Sequence, residues 1–324
     1  MKRIFSGIQP SGEIHLGNYL GAIQNWVELL DSYDAIFCIV DYHAITVEYD
    51  VGQMQRSIRQ ALIVNIACGL DPEKCTLFVQ SQVPEHTELA WIFNCVSPLG
   101  ELMRMTQFKE KAKQHMHNVN VGLLDYPVLQ AADILLYKAE GVPVGEDQVQ
   151  HIEFSREVAR KFNSRFGQTF PEPEAMLTKS PRIMGLDGKT KMSKSMNNYI
   201  GILERSEVIW EKIRTAVTDE NRKRRTDPGN PHICNLFTLH QALSSPEEVA
   251  RIEKECRTAE IGCVECKKIL HKNMMARLEP IQERARELEK DRAYIDAVLM
   301  GGAQRCQQIA GEVMDEVRRK IGLR

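Results

Sequence analysis

Short apolar runs alternate with amphipathic stretches through the first half of the chain. Arg3 to Ile8 has the texture of a buried strand and stops at Gln9-Pro10-Ser11-Gly12. Apolar positions at Leu20, Ile23, Val27 and Leu30 then recur at helical spacing, which predicts a helix opening at His15-Leu16-Gly17-Asn18. Ala35 to Val40 is apolar throughout, as in a parallel strand covered on both faces, and runs into Asp41-Tyr42-His43. A helix from about Gln53 to Cys68, a strand from Thr76 to Gln80 and a helix from Glu85 into Cys95 follow. Gln130 to Leu136 reads as an apolar helix with Asp133 one turn inside it, and Val142 to Gln148 as a strand end carrying acids. Gln150 to Phe166 reads as a helix, and Met176 to Met184 as a loop with a short strand. This alternation predicts an α/β fold with a doubly wound, Rossmann-like parallel sheet.

After Asn198 the pattern becomes purely helical, over about 205–217, 235–243, 246–256, 263–289 and 291–321. The expected organisation is a Rossmann-like catalytic domain over 1–185 and an all-helical second domain over 186–289, with the C-terminal helix from about 290 to 324 packing back on the first.

Composition narrows the class. With 324 residues, 43% hydrophobic and 27% charged, the chain is large enough for two domains of ordinary globular character. A net charge of −2 means that any basic surface is local. Ser6-Gly7 interrupts the apolar start too early for a signal peptide, and no apolar run approaches spanning length, so a cytoplasmic protein without a membrane partner is expected. Nine cysteines, an odd number, argue against a secreted disulfide framework. Cys38, Cys68, Cys75, Cys95 and Cys306 stand singly and read as small buried hydrophobes.

Two stretches carry phosphate chemistry. A strand, a Gly/Pro turn and a helix start at His15 aim backbone N–H groups and a positive dipole end at an anion, with an imidazole and an amide as further donors. The spacing is neither that of dinucleotide folds nor that of a P-loop. Lys189 to Ser195 packs three lysines and three small hydroxyl residues into seven positions, with a methionine inside. Ammonium groups on flexible stems can follow a phosphate as its charge moves. Met105 to Lys113 places three lysines two apart, equally consistent with a solvated loop. Asp133, among Ala, Ile and Leu, needs a partner, and a ligand N–H or O–H suits it best. Asn221-Arg222-Lys223-Arg224-Arg225 reads as solvated surface, or as a contact for a nucleic-acid backbone. Cys234, Cys256, Cys263 and Cys266 include a Cys-x2-Cys pair, whose soft ligands suit Zn²⁺ or an iron–sulfur cluster equally.

Taken in order, these motifs resemble the class I aminoacyl-tRNA synthetases, specifically the bacterial-type tryptophanyl enzymes. His15-Leu16-Gly17-Asn18 resembles the HIGH motif and Lys191-Met192-Ser193-Lys194-Ser195 matches the KMSKS motif. Gly7 to Gly12, Met105 to Lys111, Ala131 to Tyr137 and Val142 to Gln148 are similar to further stretches of that family. The likeness is close over 3–220 and looser beyond. It implies a ligase that activates L-tryptophan with ATP to tryptophanyl-adenylate and then loads tRNA(Trp). His15, Lys111, Lys191 and Lys194 would act in catalysis with Mg²⁺. ATP would be held by Gln9, Pro10, Ser11, Gly17, Asn18, Gly145, Glu146, Asp147, Ile183 and Lys191 to Ser195. Tryptophan would meet Asp133, Phe5, Gly7, His43, Gln130, Val142, Val144 and Gln148, with Gln130 standing where the family usually has Met. The cysteine quartet resembles one that holds a 4Fe-4S cluster in some members, Zn²⁺ being the alternative, although the first gap here is one residue shorter. A symmetric dimer is also implied. The competing readings are a tyrosine-specific relative, a tRNA-independent nucleotidylyltransferase, and a tryptophan-sensing RNA-binding paralogue.

Overall fold

The computed structural model describes residues 1–10, 12–114, 119–177, 183–194 and 196–323, without the side chains of 110, 111, 113 and 114. They form two compact units, one of Met1–Gly12, Asn25–Thr178 and Asp291–Arg324, the other of Glu13–Gln24 and Lys179–Lys290.

The first unit is built on five parallel strands: β1 (Arg3–Ile8), β2 (Asp34–Ile39), β3 (Cys75–Val79), β4 (Gly141–Val144) and β5 (Glu174–Leu177). Their order is β3-β2-β1-β4-β5, the doubly wound arrangement expected. β1 pairs with β2 from Arg3 opposite Asp34 to Ile8 opposite Ile39. From β1 the chain builds outward through β2 to β3 on one side, then returns to place β4 and β5 on the other. The carboxyl ends of β1 and β4 therefore flank a topological switch point, where such sheets bind ligands. Gln9 and Gly145 follow those two strand ends.

The helices Val51–Ala67, Glu85–Asn94, Val121–Leu135 and Val149–Phe166 flank this sheet in sequence. The helix Val121–Leu135 starts earlier than its apolar pattern suggested, because Asn120 caps it by accepting from the Leu123 N–H at 2.9 Å. Asp133 accordingly lies in its last turn, not its first. Met105 to Lys113 is not a loop: Thr106–Gln114 is helical, as a run of Lys, Glu, Ala and Gln without Gly or Pro favours.

The C-terminal helix Arg292–Ile321 completes the unit. A Cβ built on Gly302 would stand 1.9 Å from the Leu77 carbonyl oxygen, so the helix backbone lies directly on β3. Cys306, Ala310 and Met314 continue that face into the core, and Arg305 donates to Thr76 Oγ1 at 2.8 Å and Asp34 Oδ1 at 2.7 Å.

The second unit is helical: Ser206–Thr215, Asn235–Leu243, Pro246–Arg257 and the long Cys263–Lys290. Leu270, Met274 and Leu278 of the long helix are buried with Ile209, Ile213 and Leu239. Lys267 spends its ammonium on two orphan carbonyls at the end of Ser206–Thr215, those of Arg214 and Ala216, each at 2.8 Å.

Candidate active site

His15 opens the first helical turn of the second unit. Its Nδ1 accepts from the Asn18 N–H at 3.3 Å, while Asn18 Oδ1 accepts from the His15 N–H at 3.1 Å. This reciprocal cap fixes the tautomer: with Nδ1 accepting, the ring proton sits on Nε2. The following turn, Tyr19–Ile23, is π-helical. Glu13 to Leu16 runs beside 200–202, the Leu16 N–H reaching the Ile200 carbonyl at 2.8 Å and the Ile202 N–H that of Ile14 at 3.1 Å.

The lysine loop belongs to the same unit and has a defined shape. The Gly185 N–H donates to the Thr190 carbonyl at 2.8 Å and the Met192 N–H to that of Ile183 at 3.2 Å, making a small hairpin. Asn198, buried, holds it together. Its Oδ1 accepts from the Ser193 N–H at 2.8 Å, and its Nδ2 donates to Asp187 Oδ2 at 2.9 Å, Thr190 Oγ1 at 2.8 Å and the Lys191 carbonyl at 3.3 Å. Gly185 must be glycine, since a Cβ there would lie 2.0 Å from Asn198 Nδ2. The methionine that looked out of place in a polar loop is buried: a Cβ on Gly17 would lie 3.4 Å from Met192 Cβ and 3.1 Å from the His15 ring. Helix start and hairpin therefore meet at Gly17 and Met192.

The electrostatics follow from that meeting. Burial, reinforced by the charges of Lys194 and Lys191, lowers His15 to about 4, so its imidazole is neutral at physiological pH. Burial lowers Lys194 to about 8, against the opposing pull of Glu13. A neutral Nε2–H donor and two lysines on one short stretch are group types that suit an anion.

Asp133 lies in the first unit and is wholly buried. Its Oδ1 accepts from Gln80 Nε2 and pairs with His86 Nδ1, each at 2.7 Å; its Oδ2 pairs with His43 Nε2 at 2.7 Å. Burial alone would raise its carboxyl, but the two imidazoles outweigh this and hold it well below the usual carboxylate range. His86 Nε2 meets the Tyr137 hydroxyl at 2.7 Å. His43, at the β2 end, thus faces Asp133 rather than serving only as pocket wall. Sequence reasoning missed Gln80, His86, Tyr137 and Asn198; a histidine on the buried face of Glu85–Asn94 was the available signal.

The remaining expected residues are distributed as follows. Phe5 is buried and stacked on Tyr137, with centroids 5.5 Å apart and planes at 10°. Val142 is buried, Val144, Gly145, Gln148 and Gln130 are half-buried, and Gly7, Gln9, Glu146 and Asp147 are exposed, while Pro10 is buried. Ile183 is buried, and Lys191 is exposed. Ser11, Ser195 and the side chain of Lys111 lie outside the described residues. Tyr42, Thr46, Asn120, Asp125, Tyr126 and Leu129 line an open cavity of about 330 Å³ beside His43 in sequence.

Cys234, Cys256, Cys263 and Cys266 all fall in the second unit. Burial, then the neighbouring thiols, pushes Cys266 up to about 12, and Arg222 Nη1 stands 3.9 Å from Cys256 Sγ and 3.8 Å from Cys263 Sγ. Among the described residues, however, no three His, Cys, Asp or Glu side chains are gathered closely enough to hold a metal ion. The four thiols have the donor chemistry of a soft-metal site without the gathering such a site needs. Two of the four cations of the basic stretch bind the chain itself: Arg222 Nη2 donates to the Arg225 and Ile261 carbonyls at 3.0 and 2.8 Å, and Arg225 to those of Ala259 and Glu260.

A parallel sheet with a switch point, a capped histidine and a cationic hairpin describe a nucleotide-activating fold. The family described as tRNA synthetases class I (W and Y) matches residues 1–279, and the chain belongs to it. Over 99% of both chains it is 53% identical to a tryptophan–tRNA ligase of Deinococcus radiodurans, and 45% identical to one of Thermotoga maritima. The tryptophanyl-tRNA synthetase of Campylobacter jejuni, solved in complex with ADP and tryptophan, superposes with a TM-score of 0.89 at 33% identity, covering 99% of each chain. Within its class the chain belongs with the tryptophan–tRNA ligases. Among the described residues no helix is long and apolar enough to cross a membrane.

Proposed function

We propose that this chain activates L-tryptophan with ATP, releasing pyrophosphate, and transfers the tryptophan from the adenylate to tRNA(Trp). The observation that carries this reading is the meeting of His15 and the lysine hairpin at Gly17 and Met192. In the first step the tryptophan carboxylate attacks the α-phosphorus and the bond to pyrophosphate breaks. The protein's part in such a transfer is to position the reactants and stabilise spreading charge. ATP arrives with Mg²⁺, which supplies charge neutralisation at the phosphates. Neutral His15 donates through Nε2 to a phosphate oxygen, with Asn18 beside it, and Lys191, Lys194 and Lys111 take up charge as pyrophosphate departs. Gly145, Glu146 and Asp147 are assigned to the ribose, and the backbone of Ile183 and Met192 to the adenine. Asp133 accepts the indole N–H, with Val142, Val144, Gln130 and Gln148 about the ring. Amino-acid-dependent ATP–pyrophosphate exchange tests the reading: exchange with tryptophan alone is expected, exchange with tyrosine would move the assignment to that amino acid, and none with either would leave only a sensor.

Catalytic and helical domains divide the work in this reading, the helical one recognising the anticodon in a symmetric dimer. Cys234, Cys256, Cys263 and Cys266 are the residues that would hold a 4Fe-4S cluster, with Zn²⁺ as the alternative, and such a group would supply a structural cross-link between helix ends. Anaerobic purification with iron, sulfide and zinc analysis tests this; a chain carrying none of them removes it.

A further inference from the structure

We infer that His86, held between Asp133 and Tyr137, is a positioning residue that leaves Asp133 one acceptor site with one direction. This rests on the reading of Asp133 as the acceptor for the indole N–H, and it adds what makes that acceptor selective.

An ionised carboxylate only accepts hydrogen bonds and offers about four lone-pair sites, two on each oxygen. Gln80 Nε2 and His86 Nδ1 occupy both sites of Oδ1, and His43 Nε2 takes one of Oδ2, all at 2.7 Å. Among the described residues, a single site on Oδ2 remains. The three donors also fix protonation around the carboxylate: His86 must carry its proton on Nδ1 and His43 on Nε2. In the tautomer that donates from Nδ1, Nε2 is the acceptor for the Tyr137 hydroxyl across 2.7 Å. Tyr137 in turn hydrogen-bonds the Cys306 side chain on the C-terminal helix.

Packing keeps this chain of groups in place. His86, Tyr137 and Cys306 are all fully buried. The His86 ring stacks on Phe78 at 5.8 Å, and Tyr137 stacks on Phe5 while meeting Phe78 edge-on at 5.7 Å. The terminal torsion of an aspartate is otherwise soft. Without His86 the carboxylate could turn either oxygen toward a ligand, or draw in water. With His86 in place, a bicyclic ring that carries an N–H at one position completes the site. A ring of the same shape without that N–H leaves a buried acceptor unpaired, which is costly.

The test compares L-tryptophan with its benzothiophene analogue, in which sulfur replaces the indole N–H, by kcat/KM in ATP–pyrophosphate exchange. Replacing His86→Ala is expected to reduce the preference for tryptophan about tenfold, the size of one well-placed hydrogen bond, through a raised KM for tryptophan and a kcat within about twofold. His86→Asn, whose amide N–H can stand in for Nδ1–H, is expected to keep the preference within about twofold. Tyr137→Phe removes only the hydroxyl, and a partial loss of preference is expected; it decides the matter alone if His86→Ala does not fold. Should both substrates lose equally in His86→Ala and Tyr137→Phe while Asp133→Asn abolishes the preference, His86 is structural and the inference is overturned. A preference that survives Asp133→Asn overturns instead the reading of Asp133 on which it rests.

Discussion

Burial acts on two polar constellations in this chain and produces opposite results. At the helix start of the second unit it lowers both groups: His15 drops to about 4, helped by the charges of Lys194 and Lys191, and Lys194 drops to about 8 against the pull of Glu13. At Asp133 in the first unit burial is greater still, yet the carboxylate stays ionised because His43, His86 and Gln80 all donate to it. Desolvation shifts a group toward its neutral form where cations surround a histidine, and fails to do so where several donors converge on a carboxylate. The first constellation thus gathers cationic side chains about a neutral imidazole, whereas the second holds an ionised carboxylate among three donors. The contrast separates a place where charge must move during reaction from one where it must stay still.

The sharpest break in that contrast is Lys194→Ala. Adenylate formation should fall about 10³-fold, since the lost cation acts on charge that develops only in the transition state, while tryptophan affinity changes less than about twofold. Stopped-flow fluorescence reads both, and equal losses would erase the distinction. Asp133→Ala should act on folding: three buried donors lose their acceptor, at a cost of about 3 kcal/mol in denaturant unfolding. A cost below about 1 kcal/mol would mean that the donors find other partners. Asn198→Ala releases Ser193, Thr190, Asp187 and Lys191 from one amide. Adenylation should slow about tenfold with the tryptophan KM unchanged, because a shifted hairpin misplaces cations that act late. The smallest effect concerns pH. Lys194 is protonated below about 8 and loses its charge above it, so kcat/KM for ATP should decline as pH rises through about 8. In Lys194→Arg that limb should disappear, a guanidinium remaining charged throughout.

Local pattern carried most of the fold. Short apolar runs located β1, β2 and β3 to within a residue or two, and the helix at 235–243 was placed to the residue. Where reading faltered, the cause was a cap or a local helix preference given too little weight. Asn120 moved the start of the Asp133 helix back by most of its length, and a lysine-rich run proved helical because nothing in it breaks a helix. His15, Asp133 and the lysine loop were visible because each places an unusual residue type at a strand end, a helix start or an apolar face. Gln80, His86 and Tyr137 were not, since each alone is an ordinary polar residue and only tertiary folding brings them to one carboxylate. The four cysteines show the converse: spacing singled them out, and folding brings their thiols near one another without closing a ligand sphere.

The glycine that lets Arg292–Ile321 lie against the Leu77 carbonyl has a consequence for synthesis. That helix is translated after every strand it covers, and after the whole of the helical unit. Until Met314 and Val317 have left the ribosome, the part of the core that Cys306, Ala310 and Met314 complete lacks that cover, so the unit built on the sheet finishes its core last. A message broken a few dozen codons early would thus keep all five strands and leave their core open beside β3.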